Sequence, residues 1–311
     1  MISEYSDLAM VTSVVLYAVA MLLHAAEWAA ARTQAPAREL VPAGAPGPAG
    51  PVDQAPPAPA SRVELLGRVG VALTIVAALS HIVGVVLRGV AAGRLPLGNM
   101  YEFMTTALAI AAVVYLVLAL RFGMRWLGLP VALLLTIGQG LAVWVFHVAV
   151  AQLMPALQSV WFDIHIFAAA TAGAAFNVGG LAAVLYLIRS RAEEGGGASG
   201  YLARIPSADR LDRLSYRFHA FAFPLWTFTI AAGAIWAQVA WGRFWGWDPK
   251  ETFSLVTWIV YAGYLHARAT AGWKGRRAAI LAIVGLASFW FNFVGVNLLT
   301  TGLHSYSGIP K

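Results

Sequence analysis

Long apolar runs broken by short polar stretches divide the chain into eight segments: residues 8–31, 69–87, 103–120, 126–148, 164–188, 218–241, 252–268 and 278–299. Within them the apolar positions are nearly continuous, with no clear helical or strand period. A bilayer selects this pattern, because about 20 apolar residues in a helix cross its hydrocarbon core. A transmembrane barrel would instead need alternating strands of about 10 residues, and none is visible in the sequence. The pattern predicts an all-α polytopic membrane protein with about eight transmembrane helices. The seventh segment is the shortest.

The residues between the segments predict the orientation. Glu4 and Asp7 precede the first segment and no Lys or Arg does, the reverse of a secretory signal peptide, so this segment reads as a retained span with its N-terminus outside. The connections after segments one, three, five and seven hold 16 of the 21 basic residues. Basic loops stay in the cytoplasm, which places both termini outside. On the inner side, residues 35–60 are rich in Pro, Ala and Gly, and 193–200 in Gly and Ser; both read as flexible linkers. The outer connections are short and rich in Trp, Phe, Tyr and His, so the chemistry is expected there.

Composition narrows the classes further. Charged residues make up 11% of the chain, against about 25% in soluble domains. The net charge of +7 comes from residues flanking the spans, where it reports topology, so no nucleic-acid partner is expected. There is no cysteine, and any thioether or disulfide step must use a partner's sulfur. Neither a Walker A motif nor a dinucleotide fingerprint is present.

One outer connection is dense in functional groups: Trp241-Gly-Arg-Phe-Trp-Gly-Trp-Asp-Pro-Lys-Glu251. Interfacial belts spread single aromatics over several helix ends, whereas here three Trp and one Phe fall within seven residues. Asp248-Pro249 predicts a helix start, with Asp as N-cap and Pro at the first helical position. A flat aromatic shelf rimmed by Asp248, Lys250 and Glu251 suits a planar amphiphile bearing carboxylates: haem, a quinone or a lipid head.

The seven histidines sharpen this choice. A single histidine in a membrane helix is most often a hydrogen-bonded packing residue, the reading retained for His81 and His147. His165 begins span five and His304 follows span eight, both on the face of the aromatic loop. Two imidazoles beside such a shelf suit axial ligation of haem iron, with Asp163 a weak candidate to orient His165. His266 follows Glu251 by fifteen residues, about 22 Å along a helix, which places it near the cytoplasmic side. There it suits a second haem position, with His24, His219 or another chain as source of the second ligand.

These residues resemble the CcsA/ResC type of haem-handling protein of System II cytochrome c assembly. The loop 241–251 resembles that family's WWD signature. The stretches Leu211-Asp-Arg-Leu-Ser-Tyr-Arg217, Tyr264-Leu-His-Ala-Arg268, Gly302-Leu-His-Ser-Tyr306 and Asn99-Met-Tyr-Glu-Phe103 also look like family motifs. The likeness covers residues 64–308, and the first span and the linker match nothing specific. It implies haem b as cofactor, with His165 and His304 as external iron ligands and His266 as a transmembrane one. Trp241, Gly242, Trp245, Trp247, Asp248, Pro249, Lys250 and Glu251 would form the haem-presenting loop. It further implies a ResB/Ccs1-type membrane partner, a CxxCH segment of apocytochrome c as acceptor, and a bacterial plasma-membrane setting with the site on the external face. The chain would then divide into an N-terminal helix (1–31), a cytoplasmic linker (32–64) and a haem-handling domain (65–308), acting within a cytochrome c synthase. Two other readings compete. One is a haem exporter without ligation activity. The other is a b-type oxidoreductase, which is disfavoured because no span carries two histidines.

Overall fold

The computed structural model describes residues 1–33 and 61–304. Among these, every regular element is helical: α1 (Ile2–Thr33), α2 (Arg62–Ala92), α3 (Met100–Arg121), α4 (Gly128–Trp144), α5 (Val160–Glu194), α6 (Ala208–Trp241), α7 (Pro249–Ala269) and α8 (Arg276–Trp290). A π-turn, Phe291–Gly295, continues α8 into the short α9, Val296–Leu299. The Pro/Ala-rich stretch 35–60 lies outside the described residues, as do Ser305 and Tyr306.

Seven of these helical rods are long and apolar enough to cross a membrane: α1, α2, α3, α4 with its preceding 3-10 turn, α5, α6, and α8 running into α9. The eighth, α7, has 21 residues and is long enough at about 1.5 Å per residue, but its inward face is polar. Lys250, Ser254, Thr257, Tyr261, Tyr264 and Arg268 recur at intervals of three and four, which lines them up on one side of the helix. Thr257, Tyr261 and Tyr264 are buried, whereas Ile259, Gly263 and His266 are exposed. The inward polar groups find partners inside the bundle. Ser288 Oγ donates to Thr257 Oγ1 at 3.2 Å, and Arg268 pairs with Asp212 at 2.7 Å. A helix of this kind keeps its hydrogen bonds internal and leaves an apolar side for lipid.

The helices form two groups. One is α1–α4, in which α1 lies along α2 and α4; the other is α5–α8, built on the α5–α6 pair. In the second group Phe176 stacks on Tyr261 with ring centroids 4.0 Å apart. The groups meet where Leu185, Tyr201 and Leu211 pack with Ala31, Val63 and Tyr115. The Gly/Ser stretch 193–200 lies mostly outside regular structure, as its composition implies: helix α5 ends at Glu194 and residues 195–199 form turn and coil. The connection is anchored just beyond by buried Tyr201, which stacks on Trp28 at 4.1 Å.

Two glycines set the approach around His24. A Cβ added at Gly70 or Gly128 would lie 2.8 or 2.6 Å from its Cε1. With that imidazole fully buried, Gly128→Leu overpacks the site and is expected to destabilise the protein by about 1–3 kcal/mol. Thermal melting in detergent measures this, and an unchanged melting point would mean that the close approach is not needed.

Candidate functional site

Three separate parts of the chain deliver one cluster: the start of α5, the end of α6 with its following loop, and the segment after α9. Helix α7 starts with a capping box. Asp248 is the N-cap, Pro249 takes the first helical position, and Glu251 folds back. Glu251 Oε2 accepts from the backbone N–H of Gly246 at 2.8 Å and of Asp248 at 3.1 Å. This clamp bends the loop so that Trp247 adopts a φ of +58°, in the left-handed region that side chains avoid, with its indole exposed. Gly242 closes α6 at φ +71°, where a Cβ would be strained.

Asp248 also reaches across the site. Its Oδ2 accepts from Leu303 N–H at 2.7 Å and its Oδ1 from His304 Nδ1 at 3.0 Å, while Oδ1 takes Lys250 N–H at 3.0 Å as well. Burial by itself would raise the carboxyl pKa. The hydrogen bond and charge of His304, with the two backbone donors, overcome this and hold it below the usual aspartate range. One carboxylate thus ties the start of α7 to the segment that carries His304.

The protonation of both imidazoles follows from their partners. His165 Nδ1 lies 2.9 Å from the Thr229 carbonyl oxygen. A carbonyl only accepts, so Nδ1 carries the hydrogen and Nε2 keeps its lone pair. His304 Nδ1 faces the Asp248 carboxylate, so Nδ1 carries a hydrogen there too, and in the neutral ring Nε2 is the lone-pair donor. Histidines that ligate metals are oriented in this way, by an acceptor on the second ring nitrogen. Asp163 makes no such bond to His165, because successive side chains on a helix diverge and Thr229 on α6 takes the place expected of it.

Trp236 joins the two histidines. Its ring centroid is 5.8 Å from that of His165, nearly parallel at 20°, and 5.5 Å from that of His304, edge-on at 70°. Trp241 lies 4.9 Å from Trp236 and 4.8 Å from His304. Trp236 is 2% exposed, and its Nε1 donates to the Ala156 carbonyl at 2.8 Å. Sequence reasoning missed it by counting it as one more apolar residue of span six. Its position five residues before Trp241 was the available signal, since that puts it within two helical turns of the outer loop.

The remaining candidates separate from this cluster. Trp245 and Trp247 form an edge-to-face pair at 5.8 Å. Lys250 does not sit at a charged rim. It turns inward, and its Nζ donates to the carbonyls of Asn292 (2.7 Å) and Phe293 (3.2 Å), acceptors in the π-turn, where the regular helical ladder is interrupted. His266 is exposed on the lipid-facing side of α7. His24 is enclosed by glycines. His219 is buried among Phe176, Tyr261 and Tyr264, with Nδ1 at 2.7 Å from the Ser215 carbonyl. His81 contacts Tyr17 and His147 contacts Asp7, as packing histidines do.

Residues 97–304, which include the loop, His165 and His304, match the model of the cytochrome c assembly protein family. The chain belongs to that family. It is similar to the cytochrome c biogenesis protein CcsA of Synechococcus sp. strain JA-3-3Ab, at 36% identity over 79% of this chain and 86% of that protein. CcsA of Guillardia theta is also 36% identical, over 76% and 85% of the two chains. For CcsA of Porphyra purpurea the identity is 32%, over 79% and 89%. A CcsA-type chain has its broad role in cytochrome c maturation. The family match begins at residue 97, beyond α1 and α2, so it falls on the part that builds the cluster.

Proposed function

We propose that this chain holds haem b between His165 and His304 at the outer membrane face and presents it to the CxxCH segment of an apocytochrome c, working with a ResB/Ccs1-type membrane partner in a cytochrome c synthase. The observation that carries this reading is the pair of imidazoles, each fixed through Nδ1 with Nε2 free, sharing the aromatic wall of Trp236 and Trp241. When bound, haem supplies the vinyl carbons to which the acceptor's thiols add. The chain's own residues bind and orient. His165 and His304 would hold iron, and Asp248 keeps the His304 ring aligned. The loop 241–251 makes the outer edge of the site, with Trp245 and exposed Trp247 facing the acceptor. The chain's contribution is positioning. Because each ring is oriented by its own acceptor, a holding site is favoured over an exporter's transient contacts.

The topology that fits has α7 as the eighth span, both termini outside and the cluster on the external face of a bacterial plasma membrane. Residues 1–31, 32–64 and 65–308 then serve as N-terminal helix, cytoplasmic linker and haem-handling domain. His266 would serve an inner haem position. Its second ligand comes from the partner, since His24 and His219 are enclosed while His266 faces outward with no side-chain hydrogen bond among the described residues.

The test is the visible absorption spectrum of the detergent-purified protein, co-expressed with its partner. Sharp low-spin bands are expected, weakened in His165→Ala and His304→Ala, with a separate loss in His266→Ala. A wild type without haem would mean that the aromatic cluster binds something else.

A further inference from the structure

We propose that a cavity of about 420 Å³ on the outer side, between Arg94 and the first turn of α5, is a carboxylate site and that it takes a propionate of haem. The proposal rests on the haem reading above and adds the residue that holds the charged edge of that ligand. Haem carries two carboxylates, and the rim groups expected to meet them, Asp248, Lys250 and Glu251, do not. Asp248 and Glu251 are acids, and Lys250 is engaged with the π-turn carbonyls.

A surplus of positive charge lies on the other side of the cluster. Arg88 and Arg94 share one carboxylate, Glu102. Its oxygens accept from Arg88 Nε at 3.1 Å, from Arg94 Nη1 and Nη2 at 2.7 and 3.3 Å, and from Gly98 N–H at 2.8 Å. The side chains of Arg88 and Glu102 are 1% and 0% exposed and that of Arg94 19%. Two guanidinium groups and one carboxylate leave one positive charge uncompensated in a mostly desolvated place, which is costly unless an anion completes it. Neither of the other acids nearby is a buried counter-ion: Asp163 stands exposed on the cavity rim, and Asp7 is half-exposed and paired with His147 at 3.1 Å. Arg94 gives its remaining Nη hydrogens to the carbonyls of Leu95 and Ala151, and its Nε is buried without a partner among the described residues.

The cavity adjoins the iron-ligand cluster. Phe162 lines it and packs on Trp236 at 5.4 Å. Phe162 is three residues before His165, so it sits on the same helix face about 4.5 Å further out. Leu97, Leu153 and Leu157 make the apolar part of the wall, Arg94 the cationic part, and exposed Asp163 stands on the rim. A ring on His165 with its carboxylate arm toward Arg94 would keep apolar edge against apolar wall and anion against cation.

The experiment compares haem with haem dimethyl ester, titrated into the full chain purified with its partner. Wild type is expected to bind haem at least about tenfold more tightly, the size of one charge-assisted hydrogen bond, made when an Arg94 Nη exchanges the exposed carbonyl of Leu95 or Ala151 for the propionate. Arg94→Gln should shrink that gap to under twofold, and Asp163→Asn, an exposed change that leaves the fold intact, should widen it by removing a repelling charge. Arg243→Gln, in the aromatic loop, should leave the gap unchanged. Equal binding of both porphyrins by wild type, a gap that survives Arg94→Gln, a gap that Asp163→Asn leaves unchanged, or one that only Arg243→Gln removes would overturn the proposal. A carboxylate from the acceptor peptide would appear as equal porphyrin binding with weaker peptide capture in Arg94→Gln, and would overturn the propionate assignment. Failure of wild type to take up either porphyrin would instead overturn the haem reading itself.

Discussion

Trp236→Ala is expected to lower stability by about 3 kcal/mol and to remove the low-spin haem spectrum, although Trp236 itself carries no ligating atom. The indole is 2% exposed and touches Phe162, His165, Trp241 and His304. Near a bilayer the transfer part of this loss is small, since lipid is as apolar as the core. The cavity part remains, because the surrounding rings cannot collapse into the space. Both histidines lose a shared wall, so each gains rotational freedom and simultaneous axial ligation weakens. Trp236→Phe keeps an aromatic face but drops the hydrogen bond to Ala156, and an intermediate result is expected. Thermal melting and the visible spectrum read the two effects separately. A Trp236→Ala protein that melts low yet keeps sharp low-spin bands would show that the indole serves packing alone.

Asp248→Asn should weaken haem binding by about 10–100-fold, the usual effect of removing an acceptor behind a ligating histidine. The carboxylate accepts from three donors: Lys250 N–H, Leu303 N–H and His304 Nδ1. An amide has a single acceptor oxygen, so at least one donor loses a good partner, and the negative charge facing His304 is gone. The reduction potential of the iron should rise as the ring becomes a weaker donor, an effect that loosening of the fold alone would not produce. Asp248→Glu, which keeps the charge, should recover part of the affinity. The same carboxyl sets an acid limit. Its pKa is depressed in the folded protein, so its stabilising contribution is complete at neutral pH and is lost only as pH falls through the ordinary aspartate range and below. Retention of haem by Asp248→Asn at wild-type affinity would remove Asp248 from the site.

Some features were readable without coordinates because they are local. The eight apolar segments map onto helices, since the bilayer requirement acts on each segment separately. The Asp248-Pro249 helix start is set by consecutive residues and appears as expected, whereas Glu251, read as a rim charge, folds back to close a capping box. His165 and His304 could be assigned to one end of the bundle from span counting alone. The Gly/Ser composition of 193–200 likewise matches the turn and coil found at 195–199.

What the sequence by itself determined is the class of fold, the end of the helix bundle at which the aromatic loop lies, and the residue types available there. Only tertiary structure decided which groups meet. The polar stripe of α7 became an inward face because α6 and α8 supply partners for Thr257 and Arg268. Thr229 rather than Asp163 orients His165, Asp248 orients His304 from 56 residues away, and Lys250 is drawn from the rim to the π-turn. None of these pairings leaves a signal in spacing, since each joins residues on different helices, and hydrogen bonds select partners by distance in space rather than along the chain.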